Sequence, residues 1–351
     1  MISPMSLIGR HFAAILLATS SIFDLTEAAT KIKGGADPAI MKSGDYYYSA
    51  NTCGSNNICV RKAKTLVGLG DGAESKTVWS DTSGKGEVWA PEIAIEDGKT
   101  YIYFAAGKSS NHRMYVISAD SPQGTYTKEE KKINLPDDQP AIDGIYFKFE
   151  GKRWFVWSGW TPGNSEQTIY ICAMKSPTEA TGKKYVISQP REAWEKKAGL
   201  INEGPEVIVD PNGQLHIVYS ANGSWASKYC LADLRLKKGG NPTYVWDWYK
   251  SNGCLFGSHQ DNMMKGWDAT VQIDGPGHHT FALADGDTTK SPGGSSKIPF
   301  VFHGVPKGTE YKWGNRNWYT GSFVWWSKTT YSRANVPGDN KNTGYSFKFF
   351  E

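Results

Sequence analysis

The chain has 351 residues and carries 39 Lys and Arg against 35 Asp and Glu, a net charge of +4 at pH 7. So small an excess, with both signs interspersed, offers no basic face for nucleic acid. The 38 Gly, 18 Tyr and 14 Trp favour turns and aromatic strands over long helices, and the length suits one all-β barrel or propeller.

The first 29 residues differ from the rest. Arg10 precedes a mostly apolar run at 12–23, and the small residues Ala28 and Ala29 follow it. The run is shorter than the roughly 20 residues a membrane span needs, but it has the layout of a secretory signal peptide. Residues 1–29 are therefore read as a leader and 30–351 as one exported domain with no membrane partner.

Downstream, one phrase recurs five times: an acidic or Pro-bearing corner, an apolar strand, a Gly or Asp turn, then an aromatic strand. The first copy is Ala36-Asp37-Pro38 with strands at 39–41 and 46–50, and the second is Ala90-Pro91-Glu92 with strands at 93–95 and 101–107. The third is Ile142-Asp143-Gly144 with strands at 145–147 and 153–159. The fourth, Glu203-Gly204-Pro205-Glu206, has strands at 207–209 and 216–221. A weaker fifth reads as a strand at 269–273, a loop at 274–277 and a second strand at 280–285. Tyr48, Phe104, Trp157, Tyr219 and Leu283 then stand at intervals of roughly 53 to 64 residues, room for a four-stranded unit each time, which predicts a five-bladed β-propeller.

Five cysteines are an odd number for an exported chain. Cys53 and Cys59 flank a hairpin-like tip, Cys230 and Cys254 form a plausible second pair, and Cys172 sits in an apolar run as a buried thiol. Spacing does not fix this connectivity. The sequon Asn222-Gly223-Ser224 accords with export.

If the first strand of each blade lines a central channel, Asp37, Glu92, Asp143 and Glu203 meet at one mouth. Carboxylates gathered in one pocket raise one another's pKa, so the set supplies both a proton donor and an ionised acceptor, as cleavage of a glycosidic bond requires. The aromatic residues Trp89, Trp157, Trp160 and Trp225 near the same strand ends are candidates to stack on sugar. No Gly-x-Ser-x-Gly elbow and no zinc-type Cys or His spacing is present, and nothing calls for an organic cofactor.

The ordered set Ala36-Asp37-Pro38, Trp89-Ala90-Pro91-Glu92-Ile93, Ile142-Asp143-Gly144, Asn202-Glu203-Gly204-Pro205 and Gly275-Pro276-Gly277-His278 resembles glycoside hydrolase family 43 over nearly the whole mature chain. Within the family it looks most like the exo-acting α-L-arabinofuranosidases. The resemblance implies a five-bladed propeller that hydrolyses arabinan- and xylan-type glycosides with inversion. It matches Asp37 to the general base, Glu203 to the general acid and Asp143 to the carboxylate that orients the acid and keeps its pKa high. It matches His278 to a histidine that helps hold a central ion, often calcium, and Arg316 to an arginine pointing at the sugar. Trp89, Glu92, Trp160 and Trp225 join Arg316 as expected substrate contacts. His279 and Asp274 depart from the family pattern.

The implied substrates are plant cell-wall arabinose-containing polysaccharides or oligosaccharides, cleaved by a monomer outside the cell. A β-xylosidase, an endo-arabinanase and a carbohydrate-binding propeller without activity remain the alternatives.

Overall fold

Short apolar and aromatic runs separated by left-handed turns give a chain built from strands. The computed structural model describes residue 1 and residues 29–109, 111–161, 163, 165–284, 286–289, 296–326 and 344–351; the apolar run expected to be a signal peptide lies outside them. A short first strand β1 (Lys31–Gly34) precedes blade one, which comprises β2 (Ala39–Ser43), β3 (Tyr46–Cys53), β4 (Asn57–Ala63) and β5 (Glu74–Ser80). Blade two is β6 (Glu87–Glu96), β7 (Lys99–Gly107), β8 (Arg113–Ala119) and β9 (Lys131–Lys132); blade three is β10 (Ala141–Phe149), β11 (Lys152–Trp160), β12 (Gln167–Ser176) and β13 (Glu179–Ser188). Blade four is β14 (Asn202–Val209), β15 (Leu215–Ala221), β16 (Cys230–Leu236) and β17 (Trp248–Lys250), and blade five contains β18 (Ile273–Phe281), β19 (Ile298–Pro306), β20 (Asn317–Trp326) and β21 (Ser346–Phe350).

Each blade is an antiparallel meander whose first strand is innermost. Tight hairpins carry it: Asp97-Gly98 and Glu150-Gly151 both place two successive residues at positive φ, the conformation whose twist matches the strands it joins. Blade five is completed from both chain ends, since β20 pairs β1 through Tyr319 to Asn317 and β21 through Ser322 to Trp326. The amino-terminal strand thereby ties the ring shut, and every blade has a neighbour on both sides.

Among the described residues, five apolar clusters lie in the five gaps between blades. Val207, Ile217 and Leu234 pack on Ile145, Val156 and Ile171, and a phenylalanine-rich group around Phe300, Phe323 and Phe347 joins blades four and five. The seam between blades one and five is the smallest, built on Ile32, Ile40, Val301 and Trp318. Polar bonds reinforce it: Thr280 Oγ1 accepts from Ile40 N at 3.1 Å and donates to Ile40 O at 3.2 Å.

Two sequence expectations need correction. In the fifth copy, residues 274–277 lie inside β18 rather than between two strands, and the second strand is β19 at Ile298–Pro306. The Gly275-Pro276-Gly277 stretch is a bulge within the inner strand, and a Gly-Pro bulge has the composition of a turn. Asn222 of the sequon is fully buried; its amide accepts from Lys197 N at 2.8 Å and donates to Trp194 O at 3.1 Å, so it braces a loop and presents no surface for a glycan. The disulfides are Cys53–Cys59 and Cys230–Cys254, with Cys172 free and buried.

Candidate active site

The same corner opens the inner strand of every blade. Asp37, Ala90, Asp143, Gly204 and Gly275 occupy equivalent positions with φ of 51°, 41°, 55°, 56° and 57°, four of them followed by Pro and Asp143 by Gly144. A left-handed residue ahead of Pro is doubly disfavoured, and such strain costs on the order of 1–3 kcal/mol per site when Cβ is present. Its effect is to break the alternation of the strand, as the register shifts at Trp89/Glu92, Ile142/Ile145, Glu203/Glu206 and Asp274/Gly277 record. The side chains at these corners therefore leave the blade plane toward the channel mouth.

There they enclose a cavity of about 300 Å³, lined by Asp37, Asp143, Glu203, Gln167, His278 and Arg316 together with Trp89, Trp160, Trp225 and Trp313. Glu203 is 8% exposed and accepts a hydrogen bond from Gln167 Nε2 at 3.2 Å. Gln167 Nε2 also donates to Ser158 Oγ at 3.2 Å, so the amide is fixed by the neighbouring strand of its own blade. Asp143 Oδ2 accepts from the backbone N–H of Gly204 at 3.0 Å, which ties the third-blade carboxylate to the residue following Glu203. Asp37 Oδ1 lies 3.2 Å from His278 Nδ1, 3.2 Å from His303 Nδ1 and 4.0 Å from Arg316 Nη1.

These surroundings drive the carboxyls apart. Burial alone would raise Asp37, but His278, the hydrogen bond to His303 and the Arg316 guanidinium outweigh it and hold the carboxyl well below its usual range. Burial lowers the pKa of His278 and takes His303 down to about 4. At neutral pH both rings are therefore neutral partners, and Arg316 supplies the standing charge. Glu203 goes the other way: burial pushes it up to about 7, with the Tyr229 hydroxyl and the Gln167 amide pulling it back part of the way. Burial and then the charges of Glu203 and Asp37 push Asp143 well above its usual value. Asp143 and Glu203 titrate together, so the proton belongs to the pair. The mouth thus holds an ionised carboxylate and a protonated pair in one cavity, the combination needed to give and take protons in a single displacement.

Residues 32–316 match the family model for glycosyl hydrolases family 43. The chain belongs to glycoside hydrolase family 43. An extracellular exo-α-(1→5)-L-arabinofuranosidase of Streptomyces avermitilis is 35% identical over 262 residues, 71% of this chain and 52% of that protein. The α-L-arabinofuranosidase 43 of Humicola insolens is 30% identical over the same share of each chain. The chain therefore spans about half the length of these two curated relatives. Among solved structures, an α-L-arabinofuranosidase from Lactobacillus brevis superposes with a TM-score of 0.71 at 28% identity, over 87% of this chain and 94% of that one.

In this family 43 chain the mouth brings together Asp37, Asp143, Glu203, His278, Arg316, Trp89, Trp160 and Trp225. Two other candidates lie elsewhere. Glu92 is buried deeper in the channel, where it shares a cavity of about 30 Å³ with Glu206 rather than lining the mouth. Burial and the neighbouring Glu206 raise Glu92 strongly, and Glu206 is itself pushed up to about 8, so the pair holds a proton between them. Trp157 is a core residue, 3% exposed and stacked on Tyr170 at 5.6 Å; its strand position put it on the packed face.

The expected ion near His278 finds little support from side chains. Calcium takes six to eight oxygens, whereas His278 Nδ1 faces Asp37 and Nε2 lies 3.5 Å from Glu92. Among the described residues no group of three or more His, Cys, Asp or Glu is arranged to hold a metal. These side chains alone do not complete a calcium shell, so an ion held by His278 would take its remaining ligands from water.

Gln167, Trp313 and Tyr229 were not legible as site residues. Gln167 starts a second-from-edge strand outside the repeated corners, and Trp313 lies in the turn before Arg316, whose guanidinium carbon sits 5.7 Å from its ring. An aromatic residue three positions ahead of a candidate arginine was the one available signal.

Proposed function

We propose that the protein is an exported, inverting glycoside hydrolase that removes terminal α-L-arabinofuranosyl groups from arabinan, arabino-oligosaccharides or arabinoxylan. The observation that carries this is the meeting of Asp37, Asp143, Glu203 and Arg316 in one cavity, where the surroundings pull the Asp37 pKa down and push that of Glu203 up. Asp37 takes a proton from water as the water oxygen bonds to the anomeric carbon. Glu203 gives its proton to the departing glycosidic oxygen as the carbon–oxygen bond breaks. Asp143 positions Glu203 through Gly204 and, by sharing the proton, keeps the acid protonated for use near neutral pH. Arg316 steadies the ionised base and faces the bound sugar, and Trp89, Trp160, Trp225 and Trp313 offer it apolar faces. The arabinofuranosidase names of the relatives and the word extracellular in one of them support the substrate and the export.

The test is product analysis by proton NMR during hydrolysis of an aryl α-L-arabinofuranoside and linear arabinan. The first-formed arabinose should be the β-anomer; an α-anomer would overturn inversion. Cleavage of xylosides in place of arabinofuranosides would make the protein a β-xylosidase, and sugar binding without turnover would make it a lectin-like propeller.

A further inference from the structure

Between blades three and four a buried polar network runs from Lys250, on the outer strand of blade four, to Glu203 at the mouth. Its anchor is Glu195, in the single helical turn Ala193–Lys196 of the connection between the two blades. Glu195 is fully buried, and its Oε1 accepts from Lys250 Nζ at 2.8 Å, the Tyr219 hydroxyl at 2.9 Å and Asn202 Nδ2 at 3.0 Å. A carboxylate at this depth needs such compensation, and the Lys250 ammonium, buried beside it, supplies the opposite charge.

Asn202 is the member of this group that leads to the cavity. Its Nδ2 also donates to Ile201 O at 2.9 Å, and its Oδ1 accepts from Ser188 Oγ of blade three at 2.7 Å, so the amide is fixed in orientation at both its ends. Direction then follows from counting protons. Ser158 has one hydroxyl proton, and it goes to Asn202 O at 2.8 Å. The Ser158 oxygen is left to accept, and it accepts from Gln167 Nε2 at 3.2 Å. The NH₂ end of Gln167 is thereby turned inward, and the same nitrogen reaches Glu203 Oε2 at 3.2 Å. A hydroxyl proton not committed to Asn202 O would be free to bond the Gln167 carbonyl instead, and the turned amide would then set an acceptor against the carboxyl of Glu203.

We propose that Asn202 is a positioning residue for the acid: held by the Lys250–Glu195 pair, it orients Ser158 and through it Gln167, so that Glu203 meets a hydrogen-bond donor. The residue touches neither the cavity nor the sugar; it acts only by fixing which end of the Gln167 amide faces Glu203. The proposal rests on the reading of Glu203 as the acid of an arabinofuranosidase.

The experiment compares the full chain on arabino-oligosaccharides, whose leaving oxygen needs a proton, and on a nitrophenyl arabinofuranoside, whose leaving group does not. Ser158→Ala removes the relay hydroxyl and little else, so it should lower kcat on the oligosaccharides about tenfold at unchanged KM, with the nitrophenyl rate within about twofold of wild type. It should also move the alkaline limb of the pH–rate profile upward, since the Gln167 amide pulls the Glu203 pKa down. Asn202→Leu should reproduce both effects, and in a Gln167→Leu background either change should add less than about twofold, because both act through Gln167. Tyr219→Phe takes a bond from the same Glu195 oxygen but lies off the path, and it should leave both rates and the limb where wild type has them. Equal losses on the two substrates, or an unmoved limb in Ser158→Ala, would reduce the network to a structural brace and overturn the proposal, as would losses that multiply in the Gln167→Leu background. A wild type that hydrolyses neither substrate overturns the arabinofuranosidase reading and the proposal with it.

Discussion

Replacing Glu203 by Gln removes the transferable proton and keeps the volume and the acceptor for Gln167 Nε2, 3.2 Å away. A positioned acid contributes about 10²–10⁴-fold, or about 3–5 kcal/mol of barrier at 1.36 kcal/mol per decade. That full loss is expected for arabino-oligosaccharides, whose leaving oxygen must be protonated as it departs. A nitrophenyl arabinofuranoside, whose leaving group departs as the anion, should lose no more than about tenfold. The pH profile gives a second reading of the same proton. With Glu203 raised to about 7, wild-type kcat/KM should be flat on the acid side of that value and fall about tenfold per unit above it, because the protonated form is the active one. In Glu203→Gln this alkaline limb should vanish. Equal losses on both substrates, or a retained limb near pH 7, would refute Glu203 as the acid and point to another group of the mouth.

Gln167→Leu should slow turnover about tenfold with little change in KM and move the alkaline limb above pH 7, because the amide pulls the Glu203 pKa down; a pH–rate profile reads both. Gly204→Ala places Cβ at φ +56° and 3.1 Å from the His278 ring, so denaturant titration should show a loss of at least about 1–2 kcal/mol from the left-handed backbone alone. The fully buried His216 sits between Asp233 at 3.0 Å and Asp210 at 3.3 Å, and the carboxylates raise its pKa against burial while Asp210 is lowered despite it. The contribution of His216 is complete below about pH 6.5 and lost as pH rises through its raised value, whereas that of Asp210 is present above about pH 4 and lost on acidification. Tm against pH should therefore peak between those limits, and His216→Gln should flatten the alkaline side of that peak.

The five-fold repeat was legible because the same corner, apolar strand, turn and aromatic strand recur along the chain, and four of its five second strands, carrying Tyr48, Phe104, Trp157 and Tyr219, lie where the spacing put them. The fifth slipped because a bulge and a turn use the same residues, and only pairing distinguishes Gly275-Pro276-Gly277 within β18 from a hairpin tip. Asp37, Asp143 and Glu203 were legible from their place in the repeat. Gln167 was not, because its role depends on how blade three leans on blade four, seen in the bond from Gln167 N to Leu200 O at 2.9 Å. Glu92 shares its motif with Trp89 but lies three residues along a bulged strand, and that displacement carries it from the mouth to the channel interior.

One backbone corner thus delivers two kinds of carboxylate, and the residue types follow from its conformation. Asp37 and Asp143 occupy the left-handed position itself, which Asp tolerates better than longer or branched residues because its short side chain can bond locally. Glu203 stands one residue earlier, in extended backbone, and leaves the left-handed position to Gly204. The longer side chain then reaches the cavity from farther back in the blade, where burial raises its pKa, while Asp37 meets its histidines and Arg316 at the rim with 27% of its side chain exposed. Exchanging the two types would put Glu on a strained backbone and set Asp too short of the cavity. The split between the proposed base and the proposed acid is therefore written first in φ and only then in charge.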